Sequence, residues 1–320
     1  MNSQPATLDT LKLIKFLKRE PAEHKGNAGK VVLIGGAPGM AGALLLAGRA
    51  CLHLGAGWTI LEMLDPASAG ADQEQPELMI RQARDQAGDL LKQSQPDVIA
   101  IGPGLGKSAL AMKWLHACLL YPQVPLIIDA DALNLIADST ELLNALQQRN
   151  QQFPGQSTLT PHPGEAAKLL KSSTAEIQAD RLHSLHQLIA LTQSIVVLKG
   201  QHTLIASPKH FSVQCLAGNP GMGTGGMGDV LTGSIAAIAA VTCQRRRRDM
   251  HLKAVAAAVA GSLRGRALPP ATVVFGEVGG DVEALAEVRL GVVVDLGRAD
   301  DLRAIGQIAD IEVADILTWK

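Results

Sequence analysis

Aromatic side chains are scarce: three Trp, one Tyr and four Phe make up 2% of the 320 residues. A stacking platform for single-stranded nucleic acid needs more of them, so Leu, Ile, Val and Ala must fill any core. Excess charge is missing as well. The formal net charge is -1, which leaves no electrostatic footprint for nucleic acid or an anionic membrane. The one basic run, at 245–248, is short and reads as a solvated loop between helices. Cysteine is limited to Cys51, Cys118, Cys215 and Cys243. Their spacing fits neither a zinc site nor a C-x-x-C redox pair, which points to a reduced, cytoplasmic setting. An apolar signal segment is lacking, because Asp9, Lys12, Lys15 and Lys18 interrupt the first residues. No uncharged apolar run reaches the roughly 18 residues of a membrane span, and 230–243 reads as a buried helix.

What the chain does have is a series of short apolar runs ending in glycine or a functional side chain. Residues 30–36 (KVVLIGG) read as a buried strand, 40–55 as a helix closed by glycine, and 58–63 as a strand. Residues 97–106 read as a strand entering a glycine loop, 109–120 as a helix, and 124–136 as a strand whose end carries Asp129 and Asp131. Residues 157–170 combine a strand, a proline turn and a helix. A capping box, Ser173 with Glu176, precedes a helix expected over about 174–193. Strands follow at 195–200 and 203–207. Such alternation predicts a mainly parallel α/β sheet with helices on both faces. With no internal repeat or linker, it also predicts a single domain over 25–320 behind an N-terminal extension at 1–24.

In open α/β sheets, ligands bind beyond the carboxyl ends of the strands. That rule gathers 35–42, 102–106, 129–131, 160–165, 199–200 and 218–234 on one rim. Three glycine loops there compete as phosphate sites. IGPGLGKS (101–108) fails as a P-loop, because Ile101 stands where the fingerprint needs glycine. GTGGMG (223–228) fits G-x-G-x-x-G literally, but Asn219 and Pro220 precede it instead of a strand. The better reading is an anion site of converging backbone N–H groups at a helix start. Asp229, the one ionisable residue in 218–234, would lie in the first helical turn. It either complements the helix dipole or takes a proton from an attacking hydroxyl; so much glycine upstream favours the second.

GNPGMGTGGMGDVLTGSIAAI (218–238) resembles the signature of ribokinase-like proteins, in the form typical of ADP/ATP-dependent NAD(P)H-hydrate dehydratases. The likeness continues in order through 25–58, AIGPGLG (100–106), IIDADALNLI (127–136), TLTPHPGEAAKLL (158–170) and VVLKGQHTLI (196–205), and covers about 25–242. From about 249 the chain departs from the family's usual closing helices. The resemblance implies a ribokinase-like three-layer sandwich that dehydrates the S epimer of NADHX or NADPHX with ADP or ATP and Mg²⁺. It implies Asp229 as general base and Gly225, Gly226 and Gly228 as the anion hole. Lys199, Gly200, Gln201, His202 and Thr203, with Gly228, would bind the nucleotide. Ala43, Gly104, Gly106 and His162 would contact the hydrated dinucleotide.

Asn134 and Glu165 lie in matching motifs; Glu165 is equally a first-turn helix acid. His162 has the alternative of satisfying a backbone carbonyl. Asp129 and Asp131 either orient Mg²⁺ through water or cap the following helix, and Asp131 is read as a cap. No residue is assigned as a direct metal ligand. By resemblance, the assembly is a tetramer and the functional partner a separate NAD(P)HX epimerase. Two alternatives stay open: a ribokinase-like kinase acting on a vitamin precursor, and a non-catalytic nucleotide-binding protein.

Overall fold

The computed structural model describes residues 6–7 and 24–245, so the divergent stretch from about 249 and nearly all of the 1–24 extension lie outside it. The strands are β1 (Ala6–Thr7), β2 (Lys30–Gly35), β3 (Trp58–Met63), β4 (Met79–Gln82), β5 (Val98–Ile101), β6 (Leu126–Ile128), β7 (Ser157–Leu159), β8 (Ile195–Leu198), β9 (Leu204–Ser207) and β10 (His210–Gln214); Val, Ile and Leu dominate β2, β5, β6 and β8. The helices are α1 (Ala41–His53), α2 (Ala87–Ser94), α3 (Ala109–Leu120), α4 (Ala130–Asp138), α5 (Thr140–Gln152), α6 (Pro163–Leu170), α7 (Thr174–Ala179), α8 (Arg181–Thr192) and α9 (Met227–Arg245).

The strands form one sheet in the order β1-β10-β9-β8-β7-β6-β5-β2-β3-β4. From β4 across to β8 every neighbouring pair is parallel. Only β8–β9 and β9–β10 run antiparallel, as expected for chain segments joined by short turns.

Strand residues alternate between two buried faces. Val31 and Leu33 of β2 meet Leu44 and Ala47 of α1 and Ile235 to Ala240 of α9. Val32 and Ile34 face the opposite layer, with Trp114 and Leu115 of α3 and Leu185 and Leu188 of α8. The result is the expected three-layer α/β sandwich. Helix α9 packs directly on α1: a β-carbon at Gly233 would stand 1.9 Å from the Ala47 carbonyl oxygen. Gly233→Ala is therefore expected to cost about 3 kcal/mol by overpacking, read as a lowered melting temperature.

Two expectations change. The apolar run 124–136 is a strand only over β6; Asp129 takes the N-cap position and α4 begins at Ala130. The helix expected over 174–193 divides, because the Asp180 side chain accepts from the His183 N–H and starts a second helix, α8. The Ser173–Glu176 capping box opens α7 as read.

Candidate functional site

The carboxyl ends of β2, β5, β6, β7 and β8 bring the glycine loops and charged residues to one rim. Two of these loops clasp each other. The Gly36 N–H donates to the Pro103 carbonyl at 3.0 Å and the Ala37 N–H to the Gly104 carbonyl at 2.6 Å. Gly104 lies so close to the start of α1 that a β-carbon there would stand 3.1 Å from Ala43 Cβ. Ala43, Gly104 and Gly106 thus share one lobe of the rim.

The second lobe centres on Asp129, which is 1% exposed. Its Oδ1 accepts from Lys199 Nζ at 2.8 Å and from Thr160 Oγ1 at 2.7 Å. Its Oδ2 accepts from Thr232 Oγ1 at 2.7 Å. A buried carboxylate is tolerated when paired and hydrogen-bonded in this way. Gly102 makes the arrangement possible: it has φ 135°, and a β-carbon there would lie 1.8 Å from the Asp129 carbonyl oxygen. Ala130 next door is held at φ 47°, a costly conformation for a residue with a β-carbon. This turn points Asp129 into the second lobe, while Asp131 reaches the first, its Oδ2 accepting from the Gly106 N–H at 2.9 Å. The capping reading of Asp131 is thus corrected: its carboxylate fixes the glycine loop. Asp129 occupies a cap position without making a side-chain cap bond.

Asp229 lies in the first turn of α9, as expected. Around it, Gly226 packs on Leu46 of α1, and a β-carbon at Gly228 would stand 3.2 Å from Lys199 Nζ and 3.7 Å from Asp129 Oδ2. The start of α9 therefore bridges the two lobes, with its first backbone N–H groups lacking intrahelical acceptors. Gly225 is exposed at the approach to this turn. Burial first, and then the negative charge of Asp129, push the Asp229 carboxyl up to about 7, against the opposing pull of Lys199. That places it where a general base is effective near neutral pH. Burial alone would depress the Lys199 ammonium, but Asp129 and Glu165 together hold it above its ordinary value.

His162 caps α6 with Glu165. The ring Nδ1 accepts from the N–H groups of Gly164 and Glu165, and Glu165 Oε2 accepts from the His162 N–H at 2.7 Å. The alternative that His162 satisfies a backbone carbonyl is corrected: it accepts from backbone N–H groups. Burial, then the charge of Lys199, keep its imidazole below its ordinary value. The ring is still 56% exposed, with Nε2 3.3 Å from Glu165 Oε1. Glu165 is both the helix acid of the simpler reading and a partner of the centre, with Oε2 3.8 Å from Lys199 Nζ. Burial raises its carboxyl, although Lys199 opposes this. Asn134 sits further out, holding Lys168 through its Oδ1 at 2.6 Å. Gly200, Gln201, His202 and Thr203 form the turn between β8 and β9 directly after Lys199.

Among the described residues, no group of three or more His, Cys, Asp or Glu is arranged to hold a metal ion. The donors present fit a divalent cation that brings phosphate and water ligands with it. Asp131, whose Oδ2 accepts the Gly106 N–H, is a carboxylate available to its waters; Asp129 is already engaged by three donors, and Glu165 by the His162 N–H, the His162 ring and Lys199.

Residues 31–276 match the family model described as NAD(P)H-hydrate dehydratase. The chain belongs to this family. A NAD(P)H-hydrate dehydratase family relative, the bifunctional NAD(P)H-hydrate repair enzyme Nnr of Coxiella burnetii, is 41% identical over 225 residues, spanning 70% of this chain and 43% of the relative. The ADP-dependent (S)-NAD(P)H-hydrate dehydratase of Neisseria meningitidis is 36% identical over 228 residues, 70% of this chain and 74% of that protein. The solved ADP/ATP-dependent NAD(P)H-hydrate dehydratase of Bacillus subtilis, co-crystallised with ATP/Mg²⁺, has a TM-score of 0.67 at 25% identity and covers 99% of both chains. Its likeness accords with the ribokinase-like architecture. Across the bifunctional relatives it matches, the chain spans less than half of their length.

Thr160, Thr232 and Arg181 were not singled out by the motifs. Thr232 had one available signal, its position one helical turn after Asp229 on the same face. Arg181 had none.

Proposed function

We propose that this NAD(P)H-hydrate dehydratase family member uses ADP or ATP to convert the S epimer of NADHX or NADPHX back to NADH or NADPH. The observation that carries the reading is the start of α9. There Asp229, raised to about 7, lies beside Gly228 and Lys199, between the Ala43–Gly104 lobe and the turn after β8.

Hydroxide is a poor leaving group and phosphate a good one. Asp229 takes the proton of the ring hydroxyl as that oxygen attacks the terminal phosphoryl group and the bridging P–O bond breaks, releasing AMP from ADP or ADP from ATP. Lys199 and the N–H groups of Gly225, Gly226 and Gly228 stabilise charge on the transferring phosphoryl group. The ring nitrogen lone pair then expels inorganic phosphate, a proton leaves the neighbouring ring carbon, and the dihydronicotinamide is restored. Gly200, Gln201, His202 and Thr203 hold the nucleotide, while Ala43, Gly104, Gly106 and His162 contact the dinucleotide. Mg²⁺ bound with the nucleotide supplies charge neutralisation at its phosphates.

We place the single domain at 25–320, behind an extension at 1–24, in a cytoplasmic homo-oligomer, a tetramer by resemblance. An NAD(P)HX epimerase would serve as functional partner, supplying the usable epimer; the bifunctional relatives fit that pairing. No helix among the described residues is long and apolar enough to cross a membrane.

The test is to incubate the protein with NADHX, Mg²⁺ and either ADP or ATP, following absorbance at the NADH band and release of inorganic phosphate. Recovery of both products is expected. Phosphate retained on the organic substrate would instead identify a kinase. No turnover with either nucleotide would remove the dehydratase reading.

A further inference from the structure

Arg181, the first residue of α8, has no place in the chemistry above, yet its guanidinium gathers the backbone of the β8–β9 turn. Nη2 donates to the Leu198 carbonyl at 3.1 Å and the Lys199 carbonyl at 3.3 Å. Nη1 donates to the Gln201 carbonyl and, at 3.3 Å, to the His202 carbonyl. Gly200 lies against this fan: a β-carbon there would stand 3.0 Å from Nη2. The guanidinium fork suits such a fan of carbonyls; the single ammonium of Lys does not.

The peptides of this segment are trans. In a trans peptide the N–H of the following residue points opposite to the carbonyl. Carbonyls of 199, 201 and 202 drawn toward Arg181 therefore turn the N–H groups of Gly200, His202 and Thr203 to the other side. The peptide between Leu198 and Lys199 shows where that side lies. Its carbonyl meets Arg181, and its N–H donates to the Pro161 carbonyl at 2.8 Å, in the turn that carries His162. His202 is held at φ 56°. Successive N–H groups converging through a left-handed residue form an anion-binding nest.

We propose that Arg181 is a positioning residue: by holding the carbonyls of the β8–β9 turn behind it, it presents the N–H groups of Gly200, His202 and Thr203 to the phosphates of the nucleoside di- or triphosphate. The proposal rests on the reading of 199–203 as the nucleotide segment. It adds the residue that gives that segment its polarity.

Arg149 provides an internal control. It is a buried arginine that likewise donates to carbonyls, those of Leu119, Tyr121 and Val124, on elements that hold none of the site residues. Calorimetric titration of ADP, ATP and NADH into the wild type, Arg181→Lys, Arg181→Met and Arg149→Lys, with a thermal melt of each, separates the possibilities. Wild type is expected to bind ADP or ATP. Both Arg181 variants should bind that nucleotide tenfold or more weakly while keeping NADH affinity, and Arg149→Lys should lower the melting temperature without changing nucleotide affinity. Nucleotide affinity within twofold of wild type in both Arg181 variants, or a parallel loss of NADH binding, overturns the proposal. A wild type that binds neither ADP nor ATP overturns the nucleotide reading itself, a different result. Should the Arg181 variants fail to fold, amide hydrogen exchange of the wild type decides. Added ADP should slow exchange at Gly200, His202 and Thr203, and its failure to protect these amides overturns the proposal.

Discussion

Asp229→Asn is expected to lower turnover by roughly 100- to 10,000-fold, the usual contribution of a positioned general base, while nucleotide affinity stays close to wild type. The substitution keeps the size of the side chain and the helix start. It replaces the basic carboxylate with an amide that is too weak a base to take the hydroxyl proton. A loss of ADP or ATP binding in calorimetry would instead show that the carboxylate holds the site together. The same residue sets the pH dependence. With Asp229 raised to about 7 and active only when ionised, kcat/KM of the wild type should climb with pH and level off above about 7, because kcat/KM reports groups of the free enzyme.

Stability should respond with a definite sign. The folded protein holds the Asp229 proton up to about 7 and the unfolded chain only to about 3.8. Ionisation in the fold therefore costs stability progressively across that window, and the cost is fully present above it. Asp229→Asn should melt a few degrees above wild type at pH 8, with the advantage fading toward pH 4. A gain of stability at the expense of activity is the pattern expected of a functional buried carboxyl. Equal melting temperatures at pH 8 would show that burial of Asp229 is not a cost to the fold.

The frame of the molecule was legible where one residue pattern leaves one solution. β3 and α3 take the bounds read from their runs, Trp58–Met63 and Ala109–Leu120. A strand buried on both faces and entered directly from a glycine, as β3 is from Gly57, has few alternatives. The run 124–136 reads as one strand because apolar residues continue through Asp129 and Asp131 while the period changes from two to 3.6, and composition does not mark that point. Helix α5, with its polar sequence TELLNALQQRNQQ, carried too weak an apolar stripe to be singled out. In the site, the glycine loops, Asp229 and Lys199 stood out because a glycine cluster before a helix and a lysine ending a buried strand each conflict with local preference. The network around Asp129 could not be seen that way. Its donors Thr160, Lys199 and Thr232 lie 31, 70 and 103 residues away in the chain. No local period joins such positions; only the parallel sheet, which stacks the strand ends on one rim, brings them within hydrogen-bond distance.

Lys199→Met and Asp129→Asn are expected to move the pH profile in opposite directions, although they break the same ion pair. Lys199 lies 2.8 Å from Asp129, and the two side chains are 19% and 1% exposed. Removing either partner leaves a charge in a poorly solvated place, at a cost of about 3 kcal/mol. Both variants should therefore melt lower at neutral pH, where the raised Lys199 ammonium is fully charged. Their electrostatic effects on Asp229 differ in sign. Asp129 pushes the Asp229 carboxyl up and Lys199 pulls it down. Without the ammonium, Asp229 holds its proton to higher pH, and the rising limb of kcat/KM shifts to the alkaline side; nucleotide affinity also falls, because a phosphate partner is lost. Without the Asp129 charge, the same limb shifts to the acid side, and Asp229 is ionised over a wider range. A single structural defect from the broken pair would shift the two profiles together or leave both in place. The melting data, measured beside the profiles, separate loss of folded protein from a change in the base. Opposite shifts at similar losses of stability would identify Asp129 and Lys199 as the charges that set the working pH of Asp229.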